Sequence, residues 1–242
     1  MTCHLDALCF DADDPAAVAR FWAAILGRES SDGAAGEVEL LPGQDVGFRL
    51  RFLPVTTPRV APNRLHLHLT SQSPEDQRAT VARALELEAR HIDVGQQPEE
   101  GHVVLADPGD NEFCVLGPGN RFLAECGFLA EVTCDGSRAV GRFWSEALGW
   151  PLVWDQDEET SIRASGGSTN ISWGGPPVSP KVGRNRQHLD VVPDGGDQQA
   201  AVDWLLSLGA TRLDAPLGAA PHRRGSVVLA DPDGNELCVL AP

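Results

Sequence analysis

The chain repeats itself. Residues 101–118, GHVVLADPGDNEFCVLGP, match residues 225–242, GSVVLADPDGNELCVLAP, at 13 of 18 positions. The stretch VARFWAAILG, ending at Gly27, recurs as VGRFWSEALG, ending at Gly149, and NRLHLHL from Asn63 recurs as NRQHLDV from Asn185. The FW and NR blocks recur at a distance of 122 residues and the closing block, 101–118, at 124. Three blocks in one order are the mark of a duplicated structural unit, not of one large fold. The 242 residues therefore divide into two domains of ordinary size, 1–121 and 122–242.

Each copy carries a further internal rhythm. LDALCF reads as a strand. It is followed by Asp13, Asp14 and Pro15, a helix-start signal, and by Val18, Phe21, Trp22, Ile25 and Leu26 at helical spacing, with Gly27 as the stop. Strands are expected around 37–41 and 47–53. A second round then opens with strand LHLHLT, a helix from Pro74 to about Arg90, and a hairpin of HVVLAD and EFCVLG across a PGDN turn. The second copy predicts strands at 127–134, 152–154, 160–164, 169–173 and 187–192, helices at 137–149 and 196–209, and the closing VVLADPDGNELCVL hairpin. Each domain is thus two βαβββ units in an α+β arrangement.

This succession of an FW-x-x-x-LG helix, an NR-x-H-L strand and a V-x-LADP-x-x-NE-x-CVL hairpin resembles the glyoxalase/bleomycin-resistance, or vicinal oxygen chelate, superfamily over nearly the whole chain, twice. The resemblance implies four βαβββ units in two domains, each a curled mixed sheet around a cleft for a small molecule. It leaves activity open between lyases, isomerases, dioxygenases and proteins that sequester drugs. Metal-dependent members use His, Gln or Glu from the first and later strands and a Glu from the last. Counting back from the FW pair places the first-strand ligand at Ala7 and Leu129, which cannot donate. The last-strand glutamate is replaced by Cys114 and Cys238. His66 and His188 alone survive, so the usual metal site is expected to be absent and no cofactor is required. Strand alternation offers one other arrangement. His66 and His68 share a face, as do His188 and Asp190, while Glu112 shares a face with Cys114 and Glu236 with Cys238. Should those faces meet, two histidines and a carboxylate make a non-standard site for a divalent metal.

The resemblance thus leaves a metal-independent lyase or isomerase, with His188, Asp190 and Glu236 as acid and base, beside a purely sequestering protein and a metal-dependent enzyme. Trp150, Trp154 and Trp173 are concentrated in the second copy, so Trp154 and Trp173 are expected to line the pocket there. The Gly/Pro-rich loop before His188 carries Lys181, Arg184 and Arg186, placed to meet an anionic ligand; His66, His68 and Glu112 are the candidate ligand-binding residues of the first copy. A second loop holds His222. A net charge of −16 without a basic run argues against nucleic-acid binding. Six cysteines fall in no CxxC pair. No apolar stretch reaches the ~18 residues of a membrane span, and the N-terminus lacks a basic leader, so the expectation is a cytoplasmic protein, monomer or homodimer, that partners a small molecule.

Overall fold

The computed structural model describes residues 2–43, 47–55, 59–213 and 225–241; His222 lies outside them. Its strands are β1 (Cys3–Ala12), β2 (Ser30–Asp32), β3 (Val38–Leu40), β4 (Arg49–Pro54), β5 (Leu65–Leu69), β6 (Arg90–His91), β7 (Val103–Ala106), β8 (Glu112–Val115), β9 (Leu129–Cys134), β10 (Leu152–Gln156), β11 (Glu159–Arg163), β12 (Asn170–Trp173), β13 (Gln187–Pro193), β14 (Thr211–Arg212), β15 (Val227–Ala230) and β16 (Glu236–Val239). The helices are α1 (Pro15–Leu26), α2 (Pro74–Glu86), α3 (Arg138–Leu148) and α4 (Gln198–Ser207). Four βαβββ units follow one another, as the repeat requires.

The strands form two eight-stranded mixed sheets. The first runs β14-β15-β16-β13-β1-β4-β3-β2 and the second β10-β11-β12-β9-β5-β8-β7-β6. Each sheet therefore joins a unit of one sequence half to a unit of the other: the first unit pairs with the fourth through antiparallel β1 and β13, and the second with the third through β5 and β9. The two units of one half do not share a sheet. They are tied instead through the helix layer, where the Trp22 indole of α1 donates to Asp107 at 2.8 Å and the Trp144 indole of α3 donates to Asp231 at 3.3 Å. These two contacts account for two recurring sequence blocks at once. Asp107 also accepts from the backbone N–H groups of Gly109 (2.8 Å) and Asn111 (2.9 Å), so one buried carboxylate closes the hairpin turn and anchors the helix. Burial raises its pKa, and those donors pull against the rise.

Helix ends follow the residues that specify them. Asp14 accepts from the Ala17 N–H at 2.9 Å, Pro15 occupies the first turn, and Gly27 closes α1 at φ 63°, a backbone state that costs other residues steric strain. α2 ends at Glu86, shorter than its apolar pattern suggests. One continuous apolar cluster, including Phe10, Trp22, Phe52, Phe113, Trp144 and Trp173, fills the space between the helices and the sheets. Strand alternation sends Leu65, Leu67 and Leu69 into this cluster, which leaves His66 and His68 for the helix-free face of the second sheet.

Candidate active site on the second sheet

The helix-free face of each sheet carries the chemistry-bearing residues, and β-bulges decide which ones. In β1 the register shifts between Leu5 and Ala7, so that Ala7 faces Asp190 and Cys9 faces His188. In β9 the register places Leu129 opposite Leu69 and Glu131 opposite His68. His68 and Asp190 hold corresponding places in the repeat, so the counterpart of Ala7 is Glu131. The position expected at Leu129 is corrected accordingly. Ten positions separate Asp11 from Phe21, but only eight separate Asp135 from Phe143, so counting from the FW pair overshoots by two. A carboxylate thus stands where sequence counting finds a leucine.

On the second sheet parallel pairing puts Cys114 beside His68, and hence Glu112 beside His66. His66 Nε2 and His68 Nε2 lie 3.0 Å apart, and Glu131 Oε2 lies 2.7 Å from His68 Nδ1. Ligand atoms of His66, His68 and Cys114 all lie within 4.8 Å of one another. They border a cavity of about 410 Å³ whose wall includes His102 and Glu112 and, on the apolar side, Val94, Val104 and Leu116. One carboxylate oxygen of Glu112 is held by Arg59; the other is buried without a hydrogen-bond partner.

The electrostatics separate the two imidazoles. Burial disfavours charge on both. For His68 the contacts with Cys114 and Glu131 outweigh that penalty and push its pKa up to about 9. For His66 burial and the repulsion of His68 and His102 act together and push it down to about 3. The neutral pH form is an imidazolium at His68, donating to Glu131 and to the lone pair of a neutral His66.

These residues could hold a divalent metal ion. Two imidazole nitrogens 3.0 Å apart can both lie at the ~2.0–2.1 Å typical of one zinc-like ion. Cys114 adds a soft donor, and a carboxylate on the far nitrogen of a ligating histidine is the usual device for fixing its tautomer. The set differs from the one expected by resemblance, since His68 is added and a thiol replaces the last glutamate.

The first sheet brings His188, Asp190 and Glu236 together but seals them. All five residues from Gln187 to Val191 are buried, whereas in β5 the histidines are only half-buried. Asp190 is bound by Arg51, whose side chain is 1% exposed, and Glu236 by Lys181 at 2.7 Å. The cavity beside His188 and Glu236 measures about 10 Å³, less than a ligand needs. The loop cations expected to greet an anionic ligand are engaged with the protein: Arg184 pairs with Asp11, and Arg186 donates to the Asp11 carbonyl at 3.2 Å. Trp173 is likewise corrected from pocket wall to core. Ile171 and Trp173 face the helix layer, where the Trp173 ring approaches Gly141 of α3. Trp154 is half-buried and meets Phe122 edge-on, ring centroids 5.4 Å apart. The segment carrying Phe122, Leu123 and Cys126 joins Val104, Cys114 and Leu116 in a small apolar cluster on the second sheet.

Among the described residues no helix is long and apolar enough to cross a membrane. A family model described as a glyoxalase-like domain matches residues 7–116 and again 130–240. No match is found among curated proteins. Similar solved structures include glyoxalase I from Zea mays, 12% identical over 99% of this chain and 92% of that one with a TM-score of 0.62. Another is a provisionally named dioxygenase from Bacillus subtilis, 13% identical over 98% and 84% with a TM-score of 0.61. At such identities the likeness concerns the fold.

Proposed function

Because both halves of this chain belong to the glyoxalase-like domain family, we propose that it is a lyase or isomerase acting on a small organic molecule in the second-sheet cavity, with a divalent metal held by His66, His68 and Cys114. The observation that carries this reading is the convergence of those three ligand atoms at the wall of a cavity of about 410 Å³, with Glu131 2.7 Å behind His68. A metal held there would supply Lewis-acid polarisation of a substrate oxygen. The protein's own groups do the rest. Glu131 orients His68 so that Nε2 points toward His66. Val104 and Leu116 exclude water and hold the apolar body of the substrate. Glu112, fixed through one oxygen by Arg59, offers its unpartnered Oε2 as the group that takes or returns a proton.

The first test is metal content. Protein exposed to zinc, manganese, nickel or iron and then desalted should retain one equivalent of metal per chain, and His66→Ala/His68→Ala should retain none. With cobalt, a sulfur-to-metal charge-transfer band should vanish in Cys114→Ser. Folded protein that keeps no metal from any of these ions overturns the metal assignment. The second test is screening the loaded protein against small carbonyl and hydroxy compounds. Tight binding without turnover, unaffected by Glu112→Gln, would favour sequestration over catalysis.

A further inference from the structure

The helix-free face of the first sheet repeats this frame with different contents. His188 stands in the place of His66, Asp190 in that of His68, Cys238 in that of Cys114 and Ala7 in that of Glu131, by the register of the two sheets. Cys9, opposite His188, supplies a donor that the second sheet replaces by Thr133. Ligand atoms of Cys9, His188 and Asp190 lie within 4.8 Å of one another, and all three residues are buried. By donor set alone this is a metal site of the thiol, imidazole and carboxylate kind.

A guanidinium already sits in it. Arg51 of β4 donates to Asp190, to Glu39 at 2.7 Å, to Asp6 at 2.7 Å and to the Cys9 sulfur at 3.8 Å. Arg49 pairs with Asp6 and Glu39 from the same strand. Arg49 and Arg51 face Asp6, Glu39 and Asp190, so two guanidiniums already offset most of the carboxylate charge, and a His188 nitrogen lies 3.4 Å from Asp190. A divalent ion entering this closed site would bring two further positive charges into a buried space beside the guanidinium already there. On the second sheet the place of Arg51, opposite Cys9, is taken by Ser172, opposite Thr133, and the place of Arg49 by Asn170, opposite Glu131, so β12 brings no cation.

We propose that Arg51 is a built-in cation occupying a latent metal site, so that the chain carries one metal-competent face by design of this residue and gains a second, at Cys9, His188 and Asp190, when Arg51 is replaced by a neutral side chain. The duplicated centres have thus been divided into one that exchanges its cation with solution and one whose cation is covalently part of the chain. The second serves as an ionic weld between the first and fourth units, since Arg51, Asp6 and Glu39 come from one and Asp190 from the other.

The test is made on His66→Ala/His68→Ala, which removes the second-sheet donors and keeps the outcome independent of the function proposed above. Incubation with cobalt or zinc and desalting should leave no metal on this protein. Adding Arg51→Ala or Arg51→Gln should restore one equivalent per chain, and Cys9→Ser or His188→Ala should abolish it. Arg51→Lys, which keeps the charge, should bind none. Circular dichroism confirms that each variant is folded, and Arg51→Gln, which keeps a polar hydrogen-bonding side chain, covers the case in which Arg51→Ala is not. A folded neutral variant that takes up no metal overturns the proposal. So does uptake of an equivalent, sensitive to Cys9→Ser, by the parent in which Arg51 is intact.

Discussion

Replacing Glu131 separates its two duties, which are to hold His68 and to favour the proper tautomer. Its carboxylate is 6% exposed and lies 2.7 Å from His68 Nδ1. Glu131→Ala leaves that N–H buried without a partner, which costs about 1–3 kcal/mol of stability, and frees the imidazole to rotate. Glu131→Gln keeps the shape and an accepting oxygen but loses the charge, so its cost in stability should be about half as large or less. Metal affinity should fall in both. Removing the partner behind a ligating histidine typically costs 10–100-fold, and about 1.4 kcal/mol corresponds to each factor of ten. The expected order is wild type, then Gln about tenfold weaker, then Ala closer to a hundredfold weaker. A competition titration of zinc against a chelating dye measures the affinities, and urea unfolding of the metal-free proteins measures stability. Equal zinc affinity in wild type and Glu131→Ala would refute the reasoning, because His68 would then need no support from behind.

Metal uptake should also depend on pH. An ion must displace the proton that His68 holds up to about 9 and the proton of the Cys114 thiol it coordinates, so apparent affinity should rise at least about tenfold for each unit as pH climbs toward that value; a flat profile between pH 6 and 8 would contradict it. Trp173→Ala should cost about 3–5 kcal/mol in urea unfolding, as a buried indole does, while leaving zinc uptake unchanged in the folded protein. Loss of metal or ligand binding without loss of stability would return Trp173 to the pocket. Gly141→Ala places a methyl 1.9 Å from Thr160 Oγ1 and 3.1 Å from the Trp173 ring. The overpacking, about 1–3 kcal/mol, should exceed the ~1 kcal/mol gained in helix propensity, and thermal unfolding should show a lowered Tm. An unchanged or raised Tm would mean that the α3–β11 contact is looser than its geometry.

Much of this fold was legible in the chain because the features that build it are local. The caps at Asp14 and Gly27, the alternation of Leu65 to Leu69 and the ADP-x-x-N turn each act within a few residues. The recurrence of three such blocks required two equivalent copies, and the strand–helix–strand rhythm inside each divided it into two units. The pairing of His66 with His68 on one face followed from strand periodicity alone, and so did the neighbourhood of Glu112 and Cys114.

What tertiary structure decided lies between units. Which unit shares a sheet with which is set by pairing of β1 with β13 and β5 with β9, partners 184 and 64 residues apart at their first residues, and no local pattern records it. That pairing brought Glu131 behind His68, two positions from where counting placed a ligand, because the connection from the first strand to the FW helix is two residues shorter in the second copy. It also brought Arg51 of the first unit onto Asp190 of the fourth. Read singly, the two histidine strands look alike, and the tryptophans favour the second copy. The difference between an open centre and a filled one depends on which side chain arrives from the neighbouring strand, and the neighbour is chosen by the fold.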